Sequence, residues 1–473
     1  MLIGSLLILL IELFGIFNAI HAIMYTRSAQ GAIAWAIALI TFPIITIPLY
    51  WIFGRDKFRG WINAHRVLNS ELKTTVQQLD QRITEFERVP SEALLPLHQL
   101  AKAITAYPFL RGHSVHLLIN GEQTFETLLA AIDAACEYIL FQFYIVRDDE
   151  IGNTFKRALI EKAQHGVRVY FIYDEIGSYP LSTQYLGELQ QAGIEVTSFG
   201  STTKTRRLQI NFRNHRKVVV IDGRKAFTGG LNIGNEYWNR IELNLGFWRD
   251  THLLIEGPAV QCIQLSFLED WYWATRTIPT INTHIEVKPD HNAAALVLAT
   301  GPADDIPIST LFFLSVFCLA KKRLWISSPY FVPDETIVAA LQRAALTGVD
   351  VRILLPGRPD TFIVYLSSFS YYAELFAVGI KIYRYQAGFN HQKVILVDDL
   401  LAGVGSANID NRSFRLNFEL TTFVAEEAFI KAVEQMFLED FAQCHQVQLF
   451  EYEHRSFWFK TAVSVARLMA PLQ

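Results

Sequence analysis

One pattern occurs twice in this chain, and few folds can hold both copies. His215-Arg-Lys217, Asp222 and Gly229-Gly230-Leu-Asn232 stand at the same spacing as His391-Gln-Lys393, Asp398 and Gly405-Ser406-Ala-Asn408. Both fit H-x-K-x4-D-x6-G-[GS]-x-N. Each copy also sits at the same point of a longer repeat. In the first, the apolar run YILFQFYIV precedes the helical stretch IGNTFKRALIEKAQHG and the apolar run VRVYFIYD. In the second the order is LWISSPYFV, ETIVAALQRAALTG and VDVRILLP. Gly166 and Gly348 close the helical stretches, where a left-handed C-terminal cap favours glycine. Strand–helix–strand alternation, continued by GIEVTSF and GIKIYRY, predicts an α/β fold with helices packed on a largely buried sheet. Two tandem halves, residues 110–285 and 286–450, predict a body with a pseudo-two-fold axis.

The spacing carries chemistry. Residues i and i+2 of a strand share a face, so His215 points with Lys217 and His391 with Lys393. Asp222 and Asp398 lie seven residues past their histidines, which on an unbent strand is the opposite face and suits structural partners. Gly230 and Ser406, in the paired small positions, let the backbone turn closely beside the site. Asn232 and Asn408 offer amide donors to phosphate oxygens. Two imidazoles and two ammonium groups suit a phosphodiester. Neutral His attacks phosphorus, His⁺ protonates the leaving alkoxide, and the lysines stabilise charge on the non-bridging oxygens. A phosphohistidine splits one hard step into two easier ones.

The first sixty residues differ in kind. Residues 2–24 are apolar but for Glu12 and a few small polar groups, and residues 28–54 carry no charge. About 20 apolar residues of helix span a bilayer, so a two-helix transmembrane hairpin over 1–59 is expected, with its turn around Tyr25–Gln30. Pro43 and Pro48 are tolerated in a packed membrane helix. A cleavable signal peptide would leave the second segment unexplained, and the basic n-region is missing. Glu12 would cost roughly 2.5–3.5 kcal/mol at mid-bilayer, so it is expected near an end, against the partner helix, or protonated. Arg55, Lys57, Arg59 and Arg66 follow the second segment and only Arg27 lies between the two, which places the large C-terminal part in the cytoplasm. Residues 60–109 read as a connector, beginning with an amphipathic helix over 60–88 (Leu68, Leu72, Val76, Leu79, Ile83). Residues 451–473 form an amphipathic tail that lies on the bilayer or packs on the body.

The twin motifs resemble the phospholipase D superfamily, which is defined by pairs of this form, and the resemblance covers the whole chain. The segments FGR (Phe53–Arg55), YIVRDDEIG and APLQ are similar to the membrane-anchored bacterial cardiolipin synthases. The resemblance implies catalytic roles for His215, Lys217, Asp222, His391, Lys393 and Asp398, with His215 as nucleophile and His391 as acid and base. It implies substrate contacts from Gly230, Asn232, Ser406 and Asn408. Asp250 and Glu419 look like the family's acids that orient the histidines, the alternative being sheet-edge carboxylates. The implied reaction joins two phosphatidylglycerol molecules into cardiolipin and glycerol, in a bacterial inner or plasma membrane. It needs no cofactor, metal or nucleotide, since one phosphodiester is exchanged for another.

Other readings bound this one. A phospholipase D hydrolase releasing phosphatidic acid shares every motif residue. A nuclease of the same superfamily is disfavoured by the apolar N-terminus and by 42 Lys+Arg against 46 Asp+Glu, a net charge of −4. An inactive scaffold typically loses a His or Lys, and both copies are intact. The basic segment 203–217 (Lys204, Arg206, Arg207, Arg213, Arg216, Lys217) is a solvated loop or a lip for anionic headgroups. The remaining histidines show no ligand spacing, and His113 and His116 are expected in loops or on the surface. The four cysteines are scattered and expected as reduced core thiols.

Overall fold

The structure is a computed structural model and describes residues 2–26, 28–54, 61, 82–105, 107–200, 211–238, 245–288, 290 and 292–473. At the N-terminus, α1 (Leu2–Tyr25) packs against α2 (Ala29–Thr41), which is followed by α3 (Pro43–Phe53). α1 is long and apolar enough to cross a bilayer. Most of its large side chains face outward, Leu6, Leu9 and Phe17 among them, while Ala19, Ala22, Ala36, Leu39 and Tyr50 pack between the helices.

The second apolar segment departs from the expected single helix. Pro43 lacks the N–H that would continue α2, so Phe42 leaves the helical region (φ −135°, ψ 55°) and Pro43 opens a new helix. Thr46 recovers freed carbonyls by donating to Ala38 O at 3.0 Å and Phe42 O at 2.7 Å. The 13 residues of α2 rise roughly 20 Å, short of a full span. Glu12 is exposed midway along α1, so neither a helix end nor the α2 face shelters it. The basic residues Arg27, Arg55, Lys57, Arg59 and Arg66, connector positions Leu68, Leu72, Val76 and Leu79, and residues 203–210 of the basic segment lie outside the described residues.

The first half of the body holds β1 (Leu110–Ile119), β2 (Tyr138–Phe143), β3 (Arg168–Asp174), β4 (Glu195–Phe199), β5 (Arg213–Asn214), β6 (Val218–Ile221), β7 (Lys225–Gly229), β8 (Phe247–Arg249) and β9 (Thr251–Glu256). The second holds β10 (Ala293–Thr300), β11 (Arg323–Ser327), β12 (Phe331–Val332), β13 (Asp350–Pro356), β14 (Lys381–Tyr385), β15 (Gly388–Asn390), β16 (Val394–Val397), β17 (Leu401–Gly405), β18 (Ile409–Asp410), β19 (Asn417–Ala425) and β20 (Cys444–Gln446). One sheet runs through both, in the order β20-β14-β13-β11-β16-β17-β19-β10-β1-β9-β7-β6-β2-β3-β4. From the central β1–β10 pair outward the two sequences of strands match, β9-β7-β6-β2-β3-β4 against β19-β17-β16-β11-β13-β14. The pseudo-two-fold axis therefore passes between β1 and β10.

Both faces of this sheet are covered, as its near-continuous apolar runs require. Tyr138 and Leu140 of β2 pack with Val218, Val220 and the helix Ala259–Thr275 on one side. Ile139, Phe141 and Phe143 pack with Phe125, Phe155 and Leu159 on the other. His113 is a correction to the expected surface role. It is 1% exposed and ties the halves together, its Nδ1 donating to Ala293 O at 3.0 Å while Nε2 accepts from Ala259 N–H at 2.9 Å. Of the four cysteines only Cys262 is buried, and all are free. In the tail, the helix Phe457–Arg467 buries Val463 and Ala466 against the body and exposes Phe457, Trp458 and Val465.

Candidate active site

Two short strands cross from one half to the other and build the site. β5 pairs in parallel with the start of β19, and His215 N–H donates to Phe418 O at 2.9 Å. Its counterpart β15 pairs in parallel with β8, and His391 N–H donates to Arg249 O at 2.8 Å. Each histidine thus leaves its own half along the edge of the other, and each meets a carboxylate there. His215 Nδ1 lies 2.9 and 3.0 Å from the Glu419 oxygens. His391 Nδ1 lies 2.7 Å from Asp250 Oδ2. A carboxylate acceptor keeps the proton on Nδ1 and leaves the lone pair on Nε2 of each ring, with Lys393 Nζ 3.1 Å from His391 Nε2.

The lysines complete the cluster. Lys217 Nζ donates to His215 O at 2.6 Å, and Lys393 Nζ to His391 O at 2.5 Å. Lys217 is 0% and Lys393 4% exposed, so both ammonium groups stand in a low-dielectric pocket. Burial pulls Lys393 down to about 8 against the attraction of Asp250 and Glu419, and pulls Lys217 well below its ordinary value. Burial also lowers His215 to about 4, although Glu419 opposes it, and burial with the two lysines holds His391 well below its ordinary value. Asp250 is raised to about 6 by burial despite Lys393. At Glu419 burial acts upward, but His215, Lys217 and Ser406 outweigh it and hold the carboxyl below the usual range.

The small residues of the motif serve these carboxylates. A Cβ at Gly230 would stand 2.0 Å from Asp250 Oδ1, so only glycine admits the acid that orients His391. At the matching place Ser406 Oγ donates to Glu419 Oε2 at 2.5 Å. Asn232 is held within its own half, its amide bridging Ile145 N–H at 3.1 Å and the Tyr237 hydroxyl at 2.7 Å. Asn408 packs beside Asp410 and Ser413.

Asp222 and Asp398 stand apart from this cluster. Asp222 accepts from the N–H groups of Cys136, Glu137 and Tyr138 at 2.9, 2.7 and 2.9 Å. Asp398 accepts from Lys321, Lys322 and Arg323 N–H, each at 2.8 Å. Both occupy the left-handed region, φ 53° and 50°, and staple a hairpin turn to the start of β2 or β11. Seven extended residues put them roughly 20 Å from their histidines. Each carboxylate thus anchors backbone N–H groups at the start of a neighbouring strand.

Two further acids went unread in the sequence. Asp270 and Asp440, 0% and 1% exposed, end matching FLED segments, Phe267–Asp270 and Phe437–Asp440. Asp270 accepts from Arg216, Asn214 and Gln142 at 3.0, 2.7 and 2.8 Å. Asp440 accepts from Gln392 at 2.8 Å and Arg249 at 2.7 Å. They fix the residue between each His and Lys, and the repeated FLED was the available signal.

A sheet doubled about a pseudo-two-fold axis, with an H-x-K strand from each half meeting at that axis, defines the phospholipase D-like class. The family model for cardiolipin synthase, PLD-like domain, matches residues 128–271 and 314–441, and that for the phospholipase D-nuclease N-terminal region matches 6–55. The chain is 44% identical to cardiolipin synthase A of Pseudomonas fluorescens, over 97% of this chain and 96% of the relative. It is 44% identical to cardiolipin synthase A of Pseudomonas aeruginosa, over 99% of this chain and 96% of that one. In fold it is similar to the crystal structure of phosphatidylserine synthase from Haemophilus influenzae, with a TM-score of 0.61 at 14% identity, covering 80% of this chain and 100% of the other. The chain belongs to the cardiolipin synthase family of PLD-like proteins and is a phosphatidyltransferase.

Proposed function

We propose that this enzyme forms cardiolipin by transferring the phosphatidyl group of one phosphatidylglycerol to the headgroup hydroxyl of another. The observation that carries the reading is the pair of crossed His–carboxylate contacts, which aims two Nε2 atoms into one pocket with two buried ammonium groups. His215 Nε2 attacks phosphorus, the bond to the glycerol oxygen breaks, and His391 Nε2–H gives that oxygen its proton. A second phosphatidylglycerol then returns a proton to His391 as its primary hydroxyl oxygen attacks, and the P–N bond to His215 breaks. One phosphodiester replaces another, so the exchange is reversible and no nucleotide is consumed. The bound phosphodiester brings the negative charge that favours the charged forms of Lys217, Lys393 and His391, which burial opposes in the empty site. Anionic Glu419 marks His215 as the stronger nucleophile of the two.

We further place the enzyme in a bacterial inner or plasma membrane, with α1 spanning it, α2 and α3 returning, and the body on the cytoplasmic side. The apolar exterior of α1 and the basic residues after α3 support this.

The test is a product analysis in mixed micelles. Purified full-length protein receives phosphatidylglycerol labelled in its headgroup, without nucleotide or added metal. Cardiolipin with equimolar free glycerol is expected. Phosphatidic acid with glycerol and no cardiolipin would make the enzyme a hydrolase and overturn the acceptor assignment.

A further inference from the structure

The helix Phe457–Arg467 is apolar on two sides. Its inner side packs on the body. Val463 and Ala466 are buried there, and the Phe459 ring stands edge-on to Phe369 at 5.3 Å, in the helix Phe362–Phe369. A surface helix of a globular body ordinarily turns polar side chains outward. This one turns out Phe457, Trp458, Val465 and, just past its end, Leu468, which are 73%, 78%, 59% and 78% exposed. At about 3.6 residues per turn these four share one arc of about 120° with Thr461 and Ser464. The two hydroxyls donate back into their own helix, to Phe457 O and Lys460 O, each at 3.0 Å. The helix Phe362–Phe369 adds exposed Phe362 and Ile363 at its start.

These apolar side chains stand at the active-site end of the sheet. β11 and β13 run parallel and in register to Ser327 and Leu354, and Ser327 also pairs with Val394, the residue after Lys393. The turn that leaves β13 at that end leads into Phe362. The residues after the helix Phe457–Arg467 are stitched there as well. Gln473 O accepts from Arg412 N–H at 2.7 Å, and Ala470 O from Asn411 Nδ2 at 3.1 Å. Arg412 in turn donates to Asn211 O at 2.7 Å, on the segment that leads into β5 and His215. The helix is therefore fixed beside the strand that delivers a catalytic histidine.

Charge identifies what covers the outer face. From His454 to Gln473 the chain carries Arg455, Lys460 and Arg467 and no acidic side chain. Lys460 and Arg467 run along one edge of the apolar arc. Tryptophan and phenylalanine beside cations are the composition of a helix that lies in the headgroup region of an anionic bilayer. We propose that this face rests on the anionic lipid surface as a second membrane contact, and that it holds the active-site end of the sheet against the lipid from which both substrates come. This rests on the membrane placement and the phosphatidylglycerol reading above. α1 tethers the chain, and the helix Phe457–Arg467 sets which end of the body faces the bilayer.

The contact is mapped by photolabelling. Full-length protein is reconstituted in phosphatidylglycerol vesicles that carry a diazirine on an acyl chain, irradiated, digested and sequenced by mass spectrometry. Adducts on peptides spanning 457–469 are expected beside those on α1. Adducts on α1 with none at 457–469 would overturn the proposal and leave the face to a second copy of the chain or to another protein. No adducts on α1 would instead overturn the membrane placement beneath it. The role of the contact is read as a ratio. The double variant Phe457→Ser with Trp458→Ser alters only exposed side chains, and its turnover is measured on bilayer phosphatidylglycerol and on monomeric dihexanoyl phosphatidylglycerol. Turnover on the bilayer is expected to fall at least about fivefold, and turnover on the monomer to stay within about twofold. An equal fall on both would make the helix part of the fold alone, and no fall on either would leave the face without a membrane role; each overturns the proposal. A wild type inactive on both lipids would instead overturn the underlying function.

Discussion

The half that carries His215 and the half that carries His391 have the same strands in the same order, yet they are not equivalent at the cleft. The first orients its partner's histidine with an aspartate packed against a glycine, Asp250 on Gly230. The second uses a longer glutamate tied by a serine, Glu419 on Ser406. Duplication of the sheet fixes where the imidazoles and ammonium groups meet. Single differences at matching positions, Gly230 against Ser406, then give the two carboxylates different footing.

The largest effect should come from the histidines. His215→Ala and His391→Ala are each expected to lose at least about 10³-fold on phosphatidylglycerol. A phosphatidyl donor with a nitrophenol leaving group separates them, because it departs without a proton. His391→Ala should regain a burst of nitrophenol and His215→Ala should not; equal bursts would erase the division of labour. Next come the crossed acids. Glu419→Gln and Asp250→Asn are expected to cost on the order of 10²-fold. Rapid-mixing assays should find nitrophenol release slowed in the first and nearly spared in the second.

The glycine–serine difference can be attacked directly. Gly230→Ser forces a Cβ into Asp250 and is expected to match Asp250→Asn in turnover, whereas Ser406→Gly removes one hydrogen bond to Glu419 and should cost about tenfold. Comparable losses in the two would contradict the different footing of the acids.

pH supplies a smaller effect. Lys393 has its pKa lowered to about 8, so its positive charge is present below that pH and is lost as pH rises through it. kcat/KM should therefore fall on an alkaline limb near pH 8. Lys393→Arg, which stays charged, should move that limb upward even while lowering the maximum. A limb unmoved in the arginine variant would assign it to another group.

The smallest effect on turnover is expected at Asp222 and Asp398. Each carboxylate takes three backbone N–H groups, and truncation to Ala should cost about 2–4 kcal/mol of stability. Thermal unfolding should show it as a fall of several degrees, with activity per folded molecule within about threefold of wild type.

Much of this was legible beforehand because it is local. Apolar runs, glycine caps and the doubled motif gave the strand–helix–strand halves, and strand parity set Asp222 and Asp398 apart from the histidines. The crossing of β5 onto β19 and of β15 onto β8 was not legible, since two or three residues of strand carry no record of a partner roughly 140 to 200 positions away. For that reason Asp250 and Glu419 were recognisable as acids of the site but not as acids serving the opposite half. Nothing in the neighbours of Asn232 announces its hydrogen bond to the Tyr237 hydroxyl. At the membrane end the uncharged run was read as one helix. The missing N–H of Pro43 and the rescue of Ala38 and Phe42 by Thr46 make it two.

The most direct measurement is to find where the phosphatidyl group rests between the two steps. The enzyme would be mixed with phosphatidylglycerol for milliseconds, quenched in base to preserve phosphohistidine, digested and sequenced by mass spectrometry. A phosphatidyl adduct on the His215 peptide, formed at the rate of glycerol release, is the predicted result. An adduct on the His391 peptide, or none while glycerol is released in step with product, would contradict it.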